Sequence, residues 1–373
     1  MENLKIKVTI VINDFLVGGA QKLVADQLNF FDRDRFDVSL ITLCDYPGSP
    51  TLYHLLPEHV RVVKLRFRNY FRDIQSWFKL WRELRRSRPD VVVSHLFFSN
   101  TVCRVLKPLG GYASIAVEHS TYIDKKYMRV LIDRILARVT FKIVAVSQMV
   151  ADFTAKQEHI PPKKFVVIPN GVDIEKMQAA LAALPSKEAL KRELGFPSSD
   201  KILLTVGRLD PVKNHRLLLE GFARFHTKHP EYKLAIVGES HLQAELEAHA
   251  RKLELGDAAV FFGLRLDVER FYKASDAFVL TSDREGFSIV GIEAMAAGLP
   301  LVSTKVAGPD EYLKEGKNGF FIQARSPEAL AESLEKMVNS DLEQMEKNSR
   351  KTAAEFDIRM SVGKYEKLID TLS

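Results

Sequence analysis

The sequence predicts an α/β protein composed of two doubly wound, mostly parallel sheets. The chain has 373 residues, which is too long for one average domain. Short apolar runs rich in β-branched residues recur along it, and helical segments separate most of them, which is typical of parallel sheets. A turn at Pro169-Asn170-Gly171 interrupts this alternation near the middle of the chain. We therefore expect two domains, residues 1–170 and 171–356.

The first domain opens with a strand, Lys7–Ile12, which leads into Gly18-Gly19-Ala20-Gln21 and a helix ending near Phe30. Two adjacent glycines permit close approach of the backbone to a ligand, although they also suit a simple tight turn. The strict G-x-G-x-x-G pattern of dinucleotide-binding proteins is absent. The further strands predicted for this domain are Phe36–Leu43, Arg61–Leu65, Asp90–Ser94, Ile115–Glu118, Ile143–Val146 and Phe165–Ile168.

The positive charge is concentrated in the first domain. Residues 1–170 carry 26 Lys and Arg against 16 Asp and Glu, whereas the remainder carries 28 against 32. Such a domain is expected to meet an anionic partner, which leaves nucleic acid, an anionic membrane surface or a phosphorylated substrate as candidates.

Two helical segments, Phe71–Arg86 and Lys125–Thr140, carry much of this charge. The first has an apolar stripe that includes Trp77 and Trp81, and it fits either a core-packing helix with a solvated basic face or a helix at a membrane surface. The basic residues expected to be available for lipid-phosphate contact are Arg72, Lys79, Arg82, Arg85 and Arg86 in the first segment and Lys125, Lys126, Arg129, Arg134 and Arg138 in the second.

A histidine, His119, follows the predicted strand Ile115–Glu118. The carboxyl end of a strand in a doubly wound sheet is where ligands bind, so His119 is a candidate site residue. A structural histidine that caps the next element is the alternative. His95 occupies a similar position after Asp90–Ser94.

The second domain repeats the alternation of strands and helices. Gly207 ends its first strand and lets the chain turn, and Arg208 and Lys213 follow before a helix that begins near His215. Two cations beside the free N–H groups of a helix start are what a departing diphosphate requires, although they also fit surface charge around a turn. Its predicted strands are Lys201–Val206, Leu234–Glu239, Ala259–Leu264, Ala277–Leu280 and Leu301–Thr304.

The stretch Thr281–Pro300 forms a strand-loop-helix corner that carries two carboxylates. Ser288 is a suitable N-cap residue, and Gly298 ends the helix. Glu285 therefore lies in the loop and Glu293 on the second helical turn, roughly 10 Å apart. Between them the N–H groups of the helix start favour anions. An ordinary capped helix with solvent-facing glutamates is the alternative.

Glu285-Gly286-Phe287, seven residues and then Glu293 resemble the E-G-F-x7-E signature of the retaining, nucleotide-sugar-dependent glycosyltransferases of family 4. Four further elements resemble this family in the same order: Gly18-Gly19-Ala20-Gln21, His119, Asn170-Gly171-Val172-Asp173, and Arg208 with Lys213. The resemblance implies a GT-B fold, in which two Rossmann-like domains face each other across a cleft. It makes the first domain the acceptor side and the second the nucleotide-sugar domain, and a last helix, about Asp357–Ser373, crosses back to the first.

The resemblance also implies roles for single residues. Arg208 and Lys213 would neutralise the leaving nucleoside diphosphate, Glu285 would bind the sugar near its reacting carbon, and Glu293 would bind the ribose hydroxyls. His119 would lie near the transferred sugar. The remaining residues expected to bind the donor are Gly18, Gly19, Gly207, Gly238, Phe287, Ser288, Ile289 and Val290. The family often has two glycines beside the donor sugar where this chain has Ala307-Gly308.

The resemblance implies that the anomeric configuration is retained. Because no carboxylate is clearly placed as a glycosidase nucleophile, it also implies front-face attack, with the leaving phosphate as the base. No Asp-x-Asp stands at a strand end, so we expect no metal, and no cofactor beyond the nucleotide-sugar co-substrate. We favour a UDP-sugar over GDP-mannose as donor. The basic first domain favours a lipid-linked saccharide acceptor in a cell-envelope glycan pathway, with the anionic membrane as a further partner and no nucleic acid.

We expect a cytoplasmic protein, because no apolar stretch approaches 18 residues and the N-terminus lacks the features of a signal peptide. Peripheral association with the cytoplasmic face of the membrane is compatible with this expectation. The two cysteines, Cys44 and Cys103, are expected to be buried thiols. Three other functions remain open from the sequence: a sugar-nucleotide epimerase of GT-B architecture, a glycoside hydrolase that uses the two glutamates, and a non-enzymatic nucleic-acid-binding protein.

Overall fold

The computed structural model describes residues 5–67 and 73–372, which form two compact units. The first unit comprises the described residues up to Gly171 together with those from Ile358 onward, and the second comprises Val172–Asp357. The sequence analysis placed the boundary after residue 170 and assigned the last segment, from residue 357, to the first domain.

The first unit contains a seven-stranded parallel sheet in the order β3-β2-β1-β4-β5-β6-β7. The strand order reverses between β1 and β4, which makes the sheet doubly wound. The strand positions predicted from the apolar runs are correct to within two residues. The strands are β1 (Ile6–Ile12), β2 (Phe36–Thr42), β3 (Arg61–Lys64), β4 (Val91–His95), β5 (Ala113–Glu118), β6 (Lys142–Ala145) and β7 (Phe165–Val167).

Helices cover both faces of this sheet. Right-handed crossovers place α1 on one face and the helices of the β3-to-β7 connections on the other. Asp73 caps the second helix by accepting from the N–H of Ser76. Two members of the predicted segment Phe71–Arg86, Phe71 and Arg72, lie outside the described residues. The helices are α1 (Gly19–Phe30), α2 (Ile74–Ser87), α3 (Phe97–Gly110), α4 (Tyr127–Leu136) and α5 (Gln148–Glu158).

The second unit has a six-stranded parallel sheet of the same winding, in the order β10-β9-β8-β11-β12-β13. Five strands match the sequence prediction, and the edge strand β13 was not predicted. The strands are β8 (Lys201–Val206), β9 (Tyr232–Val237), β10 (Ala259–Phe261), β11 (Ala277–Leu280), β12 (Leu301–Thr304) and β13 (Gly319–Ile322). Both sheets confirm the predicted pair of doubly wound α/β domains.

The second unit begins with two short helices that are separated by a break near Pro185. Ser186 caps the second of these helices after Pro185 has interrupted the chain. The helices are α6 (Ile174–Ala183), α7 (Lys187–Glu193), α8 (His215–His226), α9 (Gln243–Lys252), α10 (Val268–Ala274), α11 (Ile289–Ala296), α12 (Pro309–Tyr312), α13 (Pro327–Val338) and α14 (Leu342–Ala354).

The final helix, α15 (Ile358–Asp370), packs against α1 within the first unit. Its Asp370 accepts from the Arg35 guanidinium at 2.6 Å. Glu366 accepts from the backbone N–H of Asp32 at 2.8 Å. Charged side chains therefore attach the last segment of the chain to its first unit.

Both cysteines are buried and free, as predicted. No helix within residues 5–67 and 73–372 is both long enough and apolar enough to cross a membrane. The predicted apolar stripe of α2 is only partly correct. Trp77 and Trp81 pack against the core, but Ile74 is 79% exposed and Phe78 is 58% exposed.

Candidate functional site

Three glycines bring the strand ends of the second unit close together at the carboxyl edge of its sheet. Gly207 and Gly238 have φ values of 155° and 141°, which favour glycine. A Cβ on Gly238 would lie 1.9 Å from the carbonyl oxygen of Gly207, so the two turns pack backbone to backbone. The N–H of Gly238 also donates to the carbonyl of Gly263 at 2.8 Å. The edge is therefore lined by backbone groups rather than by side chains.

The loop after β8 places a lysine over this turn. Lys213 ends a short 3₁₀ turn, and Asn214, with φ of 50°, caps α8. The Lys213 Nζ lies 4.0 Å from the position of a Cβ on Gly207. Arg208 projects from the same loop with 80% of its side chain exposed, and it pairs with Asp210 at 3.0 Å.

Glu285 lies beside this lysine. Its Oε1 accepts from Lys213 Nζ at 2.6 Å and from Ser282 Oγ at 2.7 Å. The Glu285 side chain is 10% exposed and that of Lys213 is 24% exposed, so the pair lies half-sheltered at the sheet edge. The structure thus brings together two of the residues that the sequence analysis selected, from loops 72 residues apart. Ser282 was not selected, although it orients the carboxylate.

The start of α11 differs from the predicted cap. Ser288 occupies the N-cap position, but its φ is 57° and its side chain makes no capping hydrogen bond. The Ser288 Oγ is buried and has no hydrogen-bond partner within the described residues. Ser288 therefore occupies the predicted N-cap position, but its hydroxyl makes no capping hydrogen bond to the helix N–H groups. Those groups, including Ile289 and Val290, remain at the start of a helix, where anions bind.

Gly308 packs against the backbone of Phe287, the residue before the N-cap of α11. Its φ is 87°, and a Cβ would lie 2.0 Å from the carbonyl oxygen of Phe287. Phe287 is buried, and its ring packs against Tyr312 and Phe356. The single glycine of Ala307-Gly308 therefore already allows the close backbone contact that this loop makes.

Glu293 lies on α11, and its side chain is oriented by a tyrosine. Glu293 is 8% exposed, and its Oε2 accepts from the Tyr272 hydroxyl at 3.0 Å. Burial, and then the neighbouring carboxylate, raise the pKa of Tyr272 well above its ordinary value, so Tyr272 remains a hydrogen-bond donor. The sequence analysis missed Tyr272, because nothing in the pattern of α10 distinguishes it from an ordinary core residue.

The first unit carries two histidines at the carboxyl ends of β4 and β5. The Nδ1 of His95 and the Nε2 of His119 are 3.0 Å apart, which is a hydrogen bond with one neutral ring as donor. Burial lowers the pKa of His119 to about 4 and that of His95 well below its ordinary value. The Nε2 of His95 is buried without a hydrogen-bond partner among the described residues. The two strand-end histidines therefore form one neutral pair.

Gly18 and Gly19 lie at the start of α1 in the same unit. Gly18 is the N-cap with an extended backbone, and a Cβ on Gly19 would meet nothing within 4 Å. Neither glycine is required by a positive φ. Open space at Gly19 is compatible with the predicted approach of a ligand to the backbone.

A buried charge cluster lies behind the loop that follows His119. Lys125 contacts Glu158, Asp133 at 3.3 Å and Glu118 at 3.9 Å, and its side chain is 1% exposed. Asp133 also accepts from Arg104 at 2.6 Å. Burial, together with the other carboxylates, raises the pKa of Glu158 to about 7.

The prediction that all five basic residues of the second helical segment are available to lipid phosphates is wrong for two of them. Lys125 belongs to the cluster, and Arg129 lies 3.6 Å from the centre of the Phe97 ring, with its side chain 24% exposed. Neither is free to meet lipid phosphates, because buried carboxylates and aromatic rings hold them. The other three predicted residues, Lys126, Arg134 and Arg138, are exposed.

No group of three or more His, Cys, Asp or Glu side chains in the described part of the chain is arranged to hold a metal ion.

Two family models match the chain, and each matches one half of it. The model for Glycosyltransferase Family 4 matches residues 17–176, and the model for glycosyl transferases group 1 matches residues 186–354. The residues of the histidine pair fall within the first match, and Lys213, Glu285 and Glu293 fall within the second.

Relatives of known name match nearly the whole chain. An Escherichia coli UDP-Gal:alpha-D-GlcNAc-diphosphoundecaprenol alpha-1,3-galactosyltransferase is 26% identical over 363 residues, which cover 93% of this chain and 92% of that protein. A Campylobacter jejuni N-acetylgalactosamine-N,N'-diacetylbacillosaminyl-diphospho-undecaprenol 4-alpha-N-acetylgalactosaminyltransferase is 27% identical over 366 residues, or 93% and 94%.

Among solved structures, Anabaena HepE in complex with UDP and glucose superimposes with a TM-score of 0.83. The two proteins are 22% identical, and the match covers 98% of this chain and 99% of the other. The likeness confirms the predicted GT-B fold class.

Proposed function

The chain belongs to glycosyltransferase family 4 and is a glycosyltransferase, and we propose that it moves a hexosyl or N-acetylhexosaminyl group from a UDP-sugar to a lipid-linked saccharide. The observation that carries the proposal is the Lys213–Glu285 pair at 2.6 Å above the Gly207 turn. This pair places a cation that can bind phosphate beside a carboxylate that can bind sugar hydroxyls. Both lie at the carboxyl edge of a doubly wound sheet, where ligands bind.

In this proposal the donor diphosphate binds beside Lys213 and Arg208. Arg208 is largely exposed, and the pair that it forms with Asp210 is a surface ion pair, so it can turn to the phosphates at little cost. A diphosphate beside Lys213 would share the ammonium with Glu285 rather than replace it, because an ammonium has three N–H donors. The charge that develops on the leaving group is then stabilised by groups already in place.

The two glutamates bind different parts of the donor. Glu285 lies beside the phosphate-binding lysine, and we assign it to the sugar hydroxyls near the reacting carbon. Glu293 is set on α11 by the Tyr272 hydroxyl, and we assign it to the ribose hydroxyls. The backbone N–H groups at the start of α11 and the strand-end glycines Gly207 and Gly238 complete the proposed donor site.

Gly18, Gly19 and His119 of the first unit have proposed roles as well. The open space over Gly19 supports backbone contact with the donor diphosphate. His119 is neutral and hydrogen-bonded to His95, so it offers a hydrogen bond to the transferred sugar rather than a positive charge. We therefore assign His119 to orientation of the sugar.

The acceptor is proposed from the relatives and from the charge of the first unit. Both relatives named above act, by their names, on saccharides joined to diphosphoundecaprenol. Residues 1–170 carry an excess of Lys and Arg, which suits a diphosphate-linked acceptor at an anionic membrane. We place the reaction at the cytoplasmic face of the membrane, in the synthesis of a cell-envelope glycan.

We further propose that transfer retains the anomeric configuration and needs no metal ion. Lys213 and Ser282 both donate to Oε1 of Glu285 and hold this carboxylate beside the proposed phosphate site, and we assign it a binding role rather than that of a covalent nucleophile. The leaving phosphate would then accept the acceptor proton during front-face attack, and Lys213 and Arg208 would supply the positive charge.

The test has two stages. A thermal-shift screen with UDP, GDP and ADP should show stabilisation by UDP, because a ligand that binds only the folded state raises its stability. UDP-hexoses and UDP-N-acetylhexosamines are then incubated with and without a polyprenyl-diphosphate saccharide, in EDTA, and product anomers are assigned by NMR. Transfer without metal and with retention supports the proposal. An isomerised sugar nucleotide formed without acceptor would instead identify an epimerase.

A further inference from the structure

The exposed apolar side chains of this chain are concentrated on one part of the first unit. Of the fifteen large hydrophobic side chains that are exposed within residues 5–67 and 73–372, nine lie on α2, α3, α4 and the loop before α4. We call this surface the α2–α4 face. Its exposed apolar residues are Ile74, Phe78, Val105, Leu109, Ile123, Tyr127, Met128, Ile132 and Ile135.

The three helices form one continuous layer. Arg85 of α2 donates to the backbone carbonyl of Leu109 at the end of α3, at 3.4 Å. Arg104 of α3 donates to Asp133 of α4 at 2.6 Å, and both side chains are buried. The strand order places this layer on the face of the sheet opposite to α1 and α15. The inner sides of the helices are therefore fixed, and their outer sides form a shared surface.

The charge of this surface has one predominant sign. Seven exposed cations belong to it: Lys79, Arg82, Arg85 and Arg86 on α2, and Lys126, Arg134 and Arg138 around α4. The acidic residues of the same helices are sheltered, because Glu83 pairs with Arg61 and Asp133 lies in the buried charge cluster. Asp124 is the exposed carboxylate of this surface.

A basic pocket of about 630 Å³ lies at the α2 end of this face. Lys79, Arg82 and Arg86 line it from one side of α2, at the spacing of successive helical turns. Lys64 and Arg66 line it from the end of β3. Glu83, which pairs with Arg61, also lines the pocket, and Arg66 pairs with Asp45 at 3.1 Å. Five cations against one carboxylate leave the lining with a net positive charge, which favours phosphate groups.

We propose that the α2–α4 face docks onto an anionic lipid bilayer, with lipid phosphates in the basic pocket and exposed apolar side chains at the acyl boundary. The pattern suits this partner, because exposed apolar side chains of all three helices share one surface with the exposed cations of α2 and α4. The inference deepens the proposed function by naming the surface that would bind the membrane. Vesicle binding can be tested by itself, and only the expected effect on transfer to a lipid-linked acceptor rests on the proposed function. Docking on this face would bring the first unit to a membrane that holds a lipid-linked acceptor.

The experiment is co-sedimentation of the full chain with vesicles of neutral phosphatidylcholine alone or mixed equally with phosphatidylglycerol. The expected result is binding to the anionic vesicles that falls with added salt. A triple variant, Arg82→Gln with Arg86→Gln and Arg134→Gln, should weaken the partition coefficient by about two orders of magnitude, since one surface cation contributes about fivefold. Phe78→Ser with Met128→Ser should weaken it by about tenfold or more.

Matched controls come from the opposite face of the same unit. Lys364→Gln with Lys367→Gln removes exposed cations from α15, and Met360→Ser removes a methionine that is 58% exposed. Both controls should bind vesicles as the wild type does. Circular dichroism and melting temperature should be unchanged in all variants, because the substituted side chains are exposed.

The proposal is overturned if the chain binds neutral vesicles as well as anionic ones, or binds neither kind. It is also overturned if the control variants lose as much vesicle binding as the face variants. A last contradicting outcome is that the face variants change only the dissociation of an oligomer or of an RNA complex. Transfer assays separate the two proposals. Face variants should act normally on a short, water-soluble acceptor and poorly on the same saccharide anchored in vesicles. Transfer to the soluble acceptor without vesicle binding refutes docking alone, and vesicle binding without any transfer refutes the proposed function alone.

Discussion

Two groups of charged side chains, one in each unit, differ in their access to a ligand. In the second unit, Lys213 and Glu285 lie half-sheltered at a sheet edge built from glycine turns. In the first unit, Lys125 and Asp133 are 1% exposed within a cluster whose members neutralise one another. Buried, mutually compensated charges hold a loop in place, whereas a lysine and a carboxylate at an open strand end are available to a ligand. The two groups therefore differ in whether a ligand can reach the lysine, since the side chain of Lys125 is 1% exposed and that of Lys213 is 24% exposed.

The largest expected effect comes from breaking the buried cluster. Asp133→Asn would leave Arg104 and Lys125 without a full counter-charge in the interior, so it should lower the free energy of unfolding by about 3–5 kcal/mol. Urea unfolding measures this change. The control, Lys126→Gln on the exposed side of the same loop, should change it by less than about 0.5 kcal/mol. Equal free energies of unfolding for the two variants would show that the buried charge cluster does not stabilise the fold.

At the sheet edge of the second unit we expect a substitution to lower activity without lowering stability. Lys213→Ala should lower kcat/KM for sugar transfer by roughly 10²–10³, because a preplaced cation would be lost where leaving-group charge develops. Its melting temperature should stay close to that of the wild type. Lys347→Ala, which removes an exposed lysine paired with Glu343, should alter neither quantity. Wild-type transfer by Lys213→Ala would remove this lysine from the proposed mechanism.

The buried histidine pair is expected to make the free energy of unfolding depend on pH. The native pKa of His119 is lowered to about 4 by burial, whereas a histidine in the unfolded chain titrates near 6.5. As pH falls from about 6.5 to 4, the unfolded chain binds a proton that the native state does not, so stability should fall by up to about 1.4 kcal/mol per pH unit.

Urea unfolding at a series of pH values tests this dependence. His119→Gln should flatten it, and His54→Gln, a change at an exposed residue, should leave it as in the wild type. His95, whose pKa is lowered well below its ordinary value by burial, and His215 of the second unit, whose pKa is lowered to about 4 by burial, contribute to the remaining slope. An unchanged slope in His119→Gln would mean that His119 is accessible to protons in the native state.

The sequence predicts the fold well because apolar β-branched runs carry the buried parallel strands. Both sheets and all strands except β13 follow from those runs. The sequence does not reveal Gly319–Ile322, a run of only four residues that begins with a glycine, because it resembles a loop until its pairing with β12 is known.

The candidate site was only partly predictable, because its fine structure depends on contacts between distant segments. Motifs select Lys213 and Glu285, but they do not reveal the Ser282 hydroxyl or the Tyr272 hydroxyl that orient the glutamates. A linear pattern likewise cannot show that Lys125 is buried. Its carboxylate partners Asp133 and Glu158 are 8 and 33 residues away in the chain.

The most direct test of the proposed donor site is to measure UDP affinity by calorimetry, and the transfer rate, for Glu293→Ala and Glu285→Ala in parallel. Glu293→Ala should weaken UDP binding by about 10- to 100-fold, the effect of losing hydrogen bonds to a charged group. Glu285→Ala should bind UDP nearly as the wild type does but lose most of its transfer rate. Unchanged UDP binding and unchanged transfer in both variants would contradict the assignment of the donor site to this edge of the second unit.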